Sequence, residues 1–254
     1  MRRHALITAG AKGLGKKVTE EFLNKGYSVT VNYRKDSHAI EEFKDSFSHM
    51  NDCLLFIKGD VTQKEDLTRM IDVTMERFGR IDCLINNAGP YIFDRKKLAD
   101  YTDDEWYQMI EGNLSSVFHL FKKVVPIMRA QQFGRIITYG FQGAESSPGW
   151  LHRSAFGAAK VGLVSLTKSI SIEEAENGIT ANMISPGIIV GEMKEATIEE
   201  SRLIPDSQTP IGRSGTGEDI ARMISFICDE NSDMITGSVI EVTGGANVIH
   251  RFQK

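Results

Sequence analysis

The chain has 254 residues, 41% of them hydrophobic, which suits one α/β domain with a single core better than two small ones. Its formal net charge of −4 gives no whole-protein attraction to phosphate backbones, so nucleic acid is not an expected partner. Three cysteines, Cys53, Cys83 and Cys228, are odd in number and lack metal-ligand spacing, which points to reduced thiols and no metal site.

Short β-type runs alternate with helical patterns along the chain. Ala5–Thr8 reads as a strand, followed by Leu14, Val18 and Phe22 at helical spacing and Gly26 as a stop. Ser28–Tyr33 is the second strand, and a polar helix over Ala39–Phe47 precedes a third strand at Leu54–Ile57. Thr62 and Glu65 have capping-box spacing ahead of a helix carrying Leu67, Ile71 and Met75. Cys83–Asn86 is the fourth strand, and Thr102 with Glu105 repeats the capping box before a long helix through Lys123. Arg135–Tyr139 is the fifth strand, Ala155–Asn177 a helix, Thr180–Ile184 the sixth strand and Ser238–Val242 the seventh. Such alternation predicts a single Rossmann-type domain over 1–254, a doubly wound parallel sheet with helices on both faces. The stretch 191–217 has no clear periodicity and is expected to cover the substrate, as long loops in compact domains often do. The opening Met1–Gly10 meets glycine too soon for a signal-peptide apolar region, and no apolar run is long enough for a bilayer. A cytoplasmic protein without membrane contact is the expectation.

Thr8-Ala-Gly-Ala-Lys-Gly-Leu-Gly15 lies between the first strand and the first helix. Glycines there let backbone approach a pyrophosphate, and the helix N-terminus offers free N–H groups to it. Thr8, Gly10, Lys12, Gly13, Leu14 and Gly15 are therefore expected at a cofactor.

At this point the chain resembles the short-chain dehydrogenase/reductase family, whose motif is Thr-Gly-x-x-x-Gly-x-Gly. Ala9 replaces the first glycine and is tolerable there only with a negative φ. The resemblance continues through Asp60-Val61, the family's adenine-contacting pair, and through Asn86-Asn87-Ala88-Gly89. Ser185-Pro186-Gly187, with Ile189 just beyond, matches the segment beside the nicotinamide. Pro210–Arg213, Glu218–Ala221, Ile235–Gly237 and Gly244-Gly245 match C-terminal landmarks. The likeness spans nearly the whole chain and is greatest to 3-oxoacyl-[acyl-carrier-protein] reductases. It implies a small-molecule or acyl-thioester substrate and a homotetramer paired through its long helices, with Leu163, Leu166 and Ile170 as candidates to be buried there.

NAD-specific members carry an acid at the end of the second strand to hold the ribose hydroxyls. Here Tyr33 stands at that place, followed by Arg34 and Lys35, with Lys12 in the glycine loop. Missing acid and added cations predict NADP(H), because a 2′-phosphate attracts cations and is repelled by a carboxylate.

The resemblance further implies a Tyr-x-x-x-Lys pair, a serine after the fifth strand and an asparagine. Lys160 and Asn113 match the last residue of the pair and the asparagine. Phe156 stands at the tyrosine position and Phe141 at the serine position, and neither can donate or accept a proton. Helical spacing puts residues 156 and 160 on one face. Three readings stay open: a degenerate nucleotide-binding chain, another proton donor (Tyr91, Tyr139 or His152), or water as donor. Ser146 and Ser147 could also move into the site. Losing a general acid costs roughly two to four orders of magnitude, which slows a reductase without abolishing hydride transfer.

Overall fold

The computed structural model describes residues 2–246. Its strands are β1 (His4–Ile7), β2 (Ser28–Tyr33), β3 (Leu54–Lys58), β4 (Cys83–Asn86), β5 (Gly134–Tyr139), β6 (Ile179–Pro186) and β7 (Val239–Val242). They form one sheet in the order β3-β2-β1-β4-β5-β6-β7, every neighbouring pair parallel. Strands covered on both faces are buried along their length, and β1, β4 and β5 are buried at every residue.

Helices follow the strands: α1 (Gly13–Asn24), α2 (His38–Ser46), α3 (Lys64–Phe78), α4 (Asp103–Ile110), α5 (Ser116–Gln131), α6 (Ser154–Glu173), α7 (Ile198–Arg202) and α8 (Gly217–Ile227). One core cluster joins Val18 and Phe22 of α1 to Ile220, Ile224 and Ile227 of α8 across one face of the sheet. A second, on the other face, packs Leu67 and Met70 of α3 with Leu120, Val124 and Met128 of α5. The doubly wound architecture thus stands as the alternation predicts.

Several local expectations are corrected. The Thr62–Glu65 capping box does not form: α3 starts at Lys64 without a side-chain cap, while Thr62 bonds Asp60 Oδ1 through both its N–H and its hydroxyl. Asp60 competes for Thr62 and wins because its turn precedes the helix. The Thr102–Glu105 box does form. The long helix it opens is interrupted by a π turn over Glu111–Ser115 before α5 runs on to Gln131. The stretch 191–217 is not structureless, since it holds a 3₁₀ turn at Gly191–Lys194, helix α7 and a bridge between Pro205 and Arg213. Leu163 and Ile170 lie in the protomer's own core, both 1% exposed, so they offer nothing to a partner. Ile172 on α6 and Phe118 on α5 are the exposed large apolar side chains of those helices.

Ala9 has φ +49, against the negative value that alanine prefers. Its neighbour Gly10 is fixed by space, because a Cβ there would stand 3.0 Å from both Ile7 Cγ2 and Thr19 Oγ1. Glycine is therefore spent at position 10 on packing, and alanine carries the left-handed turn. Ala9→Gly is expected to raise stability by about 1 kcal/mol and Tm by roughly 2–4 °C, measured by thermal and denaturant unfolding.

Candidate active site

Strand order reverses between β1 and β4, and in such sheets ligands bind outside the carboxyl ends of the strands at that point. The two loops leaving these strands are stitched together. Asn87 Nδ2 donates to Thr8 O (3.0 Å) and Ala9 O (3.1 Å), and Thr8 Oγ1 accepts from Ala88 N at 2.9 Å. Asn32 of β2 completes the frame, accepting from Ala9 N at 3.2 Å and donating to Gly59 O at 2.9 Å. Gly15 admits no side chain, since a Cβ would meet Ala9 O at 2.4 Å and Asn87 Nδ2 at 2.6 Å.

Beside this frame opens a cleft of about 400 Å³. Of the residues expected at a cofactor, Lys12, Tyr33, Arg34, Asp60, Val61, Ala88 and Gly89 line it. Thr8, Gly10, Gly15 and Asn87 build its floor rather than its wall. Leu14 packs against the core and Ile189 is buried within it. Pro186 and Gly187 stand at the end of β6, where Gly187 N donates to Val242 O. They and Lys160 lie outside the lining of this cleft. Lys35, named with Arg34 at the end of the second strand, lines it too, and Ser37 lines it and was missed; Ser37 is the N-cap of α2, a residue type that marks helix starts, two positions before Ala39, where the sequence reading began the helix. Gln108 of α4 also lines it, with no sequence signal to mark it.

Cations gather at the β2 end. Lys12, Arg34 and Lys35 converge there with the N-terminus of α2, and Arg34 Nη1 lies 3.6 Å from Asp60 Oδ2. On the far side of the glycine loop, Gly13 N donates to Glu195 Oε1 at 2.7 Å and Lys16 Nζ to Glu195 Oε2 at 2.8 Å. These bonds hold the 191–217 stretch over the start of α1. They also keep the Glu195 carboxyl below its ordinary range despite the opposing effect of burial.

Asn113 sits in the π turn. Its Nδ2 donates to Met109 O, the carbonyl that an α turn would pair with its backbone, and to Pro90 O, each at 3.0 Å. Its Oδ1 is buried without a partner. A Cβ built on Gly89 would lie 2.4 Å from that Oδ1 and 3.7 Å from Lys160 Nζ, so the two polar groups flank one glycine. Lys160 is 5% exposed, and burial alone brings its pKa from 10.5 down to about 8. A buried acceptor, a buried ammonium and a glycine-walled cleft fit a dinucleotide.

Phe156 lies one turn before Lys160 on α6, with the Lys160 ammonium 5.5 Å from its ring centroid. Phe141 is buried against Trp150 (4.8 Å) and 6.3 Å from Phe156. Tyr91 packs edge-on against Phe156 at 5.0 Å. Of the other expected donors, Tyr139 belongs to the core cluster of α1 and α8, where burial drives its phenol far above the ordinary range. It faces the sheet interior and cannot serve. His152 holds φ +61 in the turn before α6, its Nδ1 buried without a partner. Ser146 and Ser147 are exposed, and Ser147 lines a separate surface groove with Lys168 and Ile172. Neither serine enters the site.

Comparison with known proteins now adds the family. The model described as enoyl-(acyl carrier protein) reductase matches residues 8–247. YtkK of Bacillus subtilis, provisionally named an oxidoreductase, is 72% identical over 252 residues, covering 99% of each chain. The 3-oxoacyl-[acyl-carrier-protein] reductase FabG of Haemophilus influenzae is 34% identical over 244 residues, 95% of this chain and 96% of that one. A solved structure from Bacillus thuringiensis, provisionally described as a 3-oxoacyl-reductase, superposes with a TM-score of 0.94 at 64% identity, covering 98% of this chain and all of that one.

Lys160 generates a stability prediction. Below pH 8 folded and unfolded chains both carry its charge, and the cost of burying it is fully present. Between pH 8 and 10.5 only the unfolded chain keeps the proton, so the cost fades as pH rises. Lys160→Met is expected to stabilise the fold by about 2–3 kcal/mol at pH 7. That gain should shrink to under about 1 kcal/mol by pH 10, measured by urea unfolding at both values.

Proposed function

This chain belongs to the short-chain dehydrogenase/reductase family of oxidoreductases, and on that premise we propose that it is a slow NADP(H)-dependent carbonyl reductase acting on ketones or 3-oxoacyl thioesters. The cation-lined corner of the cleft carries the cofactor assignment. Lys12, Arg34, Lys35 and Ser37 surround the place where an acid would read a ribose diol, and Tyr33 offers none. In this reading the glycine loop and the N-terminus of α1 receive the pyrophosphate, Lys160 holds the ribose, and Asn113 Oδ1 holds a water or the carboxamide. When bound, the nicotinamide supplies the hydride. The chain's own part is to position the carbonyl, exclude water and provide a proton. Phe141 and Phe156 take the places the family gives to serine and tyrosine, which is why the turnover is slow.

A second reading, a nucleotide-binding pseudo-enzyme acting as sensor or subunit, is favoured by those same two phenylalanines. Absence of NADPH consumption across ketones and 3-oxoacyl thioesters, with NADPH binding intact, would establish it. The assembly we propose is a homotetramer, whose helix pairing would cover Phe118 and Ile172.

Calorimetry should give NADPH one to two decades tighter than NADH, the worth of a charge-assisted phosphate contact of about 1.5–3 kcal/mol. Lys12→Ala with Arg34→Ala should erase the difference; equal affinities in the wild type would remove the NADP(H) assignment.

Phe156→Tyr combined with Phe141→Ser should raise ketone-dependent NADPH oxidation at least about tenfold, because a hydroxyl regained near Lys160 is worth up to two to four orders of magnitude. Serine at 141 vacates a volume packed against Trp150 and Leu163, so a stability loss of about 3 kcal/mol is expected with it. A double variant no faster than wild type at full folding would count against the missing-hydroxyl account.

A further inference from the structure

Tyr91 brings a hydroxyl-bearing ring against Phe156, packed also on Phe93 and under the Arg153 guanidinium, 4.9 Å from its centroid. Its ring is half-buried, 5.0 Å from the Phe156 centroid at 83°, while the Lys160 ammonium lies 5.5 Å from that same centroid. Its oxygen meets Arg153 Nε at 2.5 Å. A guanidinium has only donors, so the Tyr91 oxygen accepts this bond and its own proton remains free to be given away.

Arg153 is built to stay there. Nη1 donates to Asp94 O (2.9 Å) and His152 O (2.8 Å), and Nη2 to Phe93 O (3.0 Å). These three carbonyls fix the guanidinium without neutralising it. Among the described residues no carboxylate comes within 4.0 Å of it, unlike Arg129, Arg80 or Arg213, each of which faces an acid. Arg153 is also the N-cap residue of the 20-residue helix α6, whose positive dipole end lies at the same spot. A full positive charge and a helix N-terminus thus stand where a negative oxygen would be left by a departing proton.

We propose that Tyr91 is the proton donor of this chain, with Arg153 as its positioning residue, in place of the hydroxyl absent at Phe156. The inference rests on the carbonyl-reductase reading above. In the step, the carbonyl carbon takes a hydride from the reduced nicotinamide and the π electron pair moves onto the carbonyl oxygen. That oxygen takes the Tyr91 proton, and the O–H bond of Tyr91 breaks. Oxidation of the nicotinamide balances reduction of the carbonyl. The Tyr91 oxygen, now negative, is held by a charge-assisted bond from Arg153 until water returns a proton. The loop over 89–94, which carries Tyr91, also carries Gly89 against Asn113 and Lys160, so donor and cofactor site are set by one segment.

The test compares wild type, Tyr91→Phe and Arg153→Gln for ketone-dependent NADPH oxidation, NADPH affinity and affinity for the alcohol product. Tyr91→Phe keeps the ring and removes only the hydroxyl. The expected result is a roughly hundredfold fall in kcat, NADPH affinity within twofold, and alcohol affinity lowered two- to tenfold for one lost hydrogen bond. Arg153→Gln, which keeps an amide for the loop carbonyls but no charge, should lower kcat roughly ten- to hundredfold at unchanged KM, and serves alone if Tyr91→Phe does not fold. Active wild type with Tyr91→Phe retaining kcat within threefold overturns the donor assignment and leaves the reductase reading standing. Wild type inactive on every ketone and thioester overturns both.

Discussion

Everything at this site depends on how closely the loop after β1 can be pressed against the loop after β4. Asn87 reaches across the switch point to two successive carbonyls, and Gly15 leaves no room for a methyl group between them. Removing the amide would leave two inward-facing carbonyls unpaired, at about 1–3 kcal/mol for a buried group without a partner. Because that stitch fixes both loops, it fixes the floor of the cleft, the direction in which α1 starts, and the line along which residues 88–91 run. Thr19 serves the same end from α1, its hydroxyl bonding the carbonyls of Gly10 and Gly15. The wall of the cleft is therefore positioned by side-chain amide and hydroxyl bonds to loop carbonyls before any titratable side chain is considered.

What was legible in the sequence is what repeats. Strand and helix periods are local, so β2 and β4 fall on the residues that alternation and apolar runs mark, and the fold class follows from their order. Helix α8 was marked only as a family landmark, although Ile220, Ile224 and Ile227 recur at helical spacing and Thr216 with Asp219 makes a capping box. Competition was not legible. Thr62 has the spacing of a cap, yet Asp60 lies two residues away and takes it. Ala9 could not be read as left-handed, because the requirement comes from Ile7 and Thr19 crowding Gly10, a contact between elements. Nor could Leu163 and Ile170 be assigned to core or interface, since an apolar helix face looks the same whichever surface buries it.

Cofactor-site residues sort by the same rule. Those on the loops, Lys12, Arg34, Asp60, Val61, Ala88 and Gly89, could be found from glycine spacing and strand ends, and they line the cleft. Ser37 and Gln108 reach it from α2 and α4, elements whose placement depends on packing rather than on local spacing. The π turn at Asn113 is likewise invisible in sequence. It needs Pro90 wedged against Gly112, where even a methyl group would lie 2.3 Å from Pro90 Cδ, and the Asn113 amide to answer the Met109 carbonyl.

Charge completes the argument. Lys160 is buried with no acid beside it, and Arg153 is pinned by three carbonyls and the Tyr91 hydroxyl; the two stand on either side of the Phe156–Tyr91 aromatic pair. An isolated buried cation destabilises a fold, so the buried Lys160 marks a place where the chain favours negative charge at the expense of stability. Phenylalanine at positions 141 and 156 leaves that field without a competing hydroxyl at either place. In the proposed reduction, a carbonyl oxygen becoming negative is the species such an environment receives best, since fixed positive charge aimed at developing negative charge needs no reorganisation when the reaction occurs.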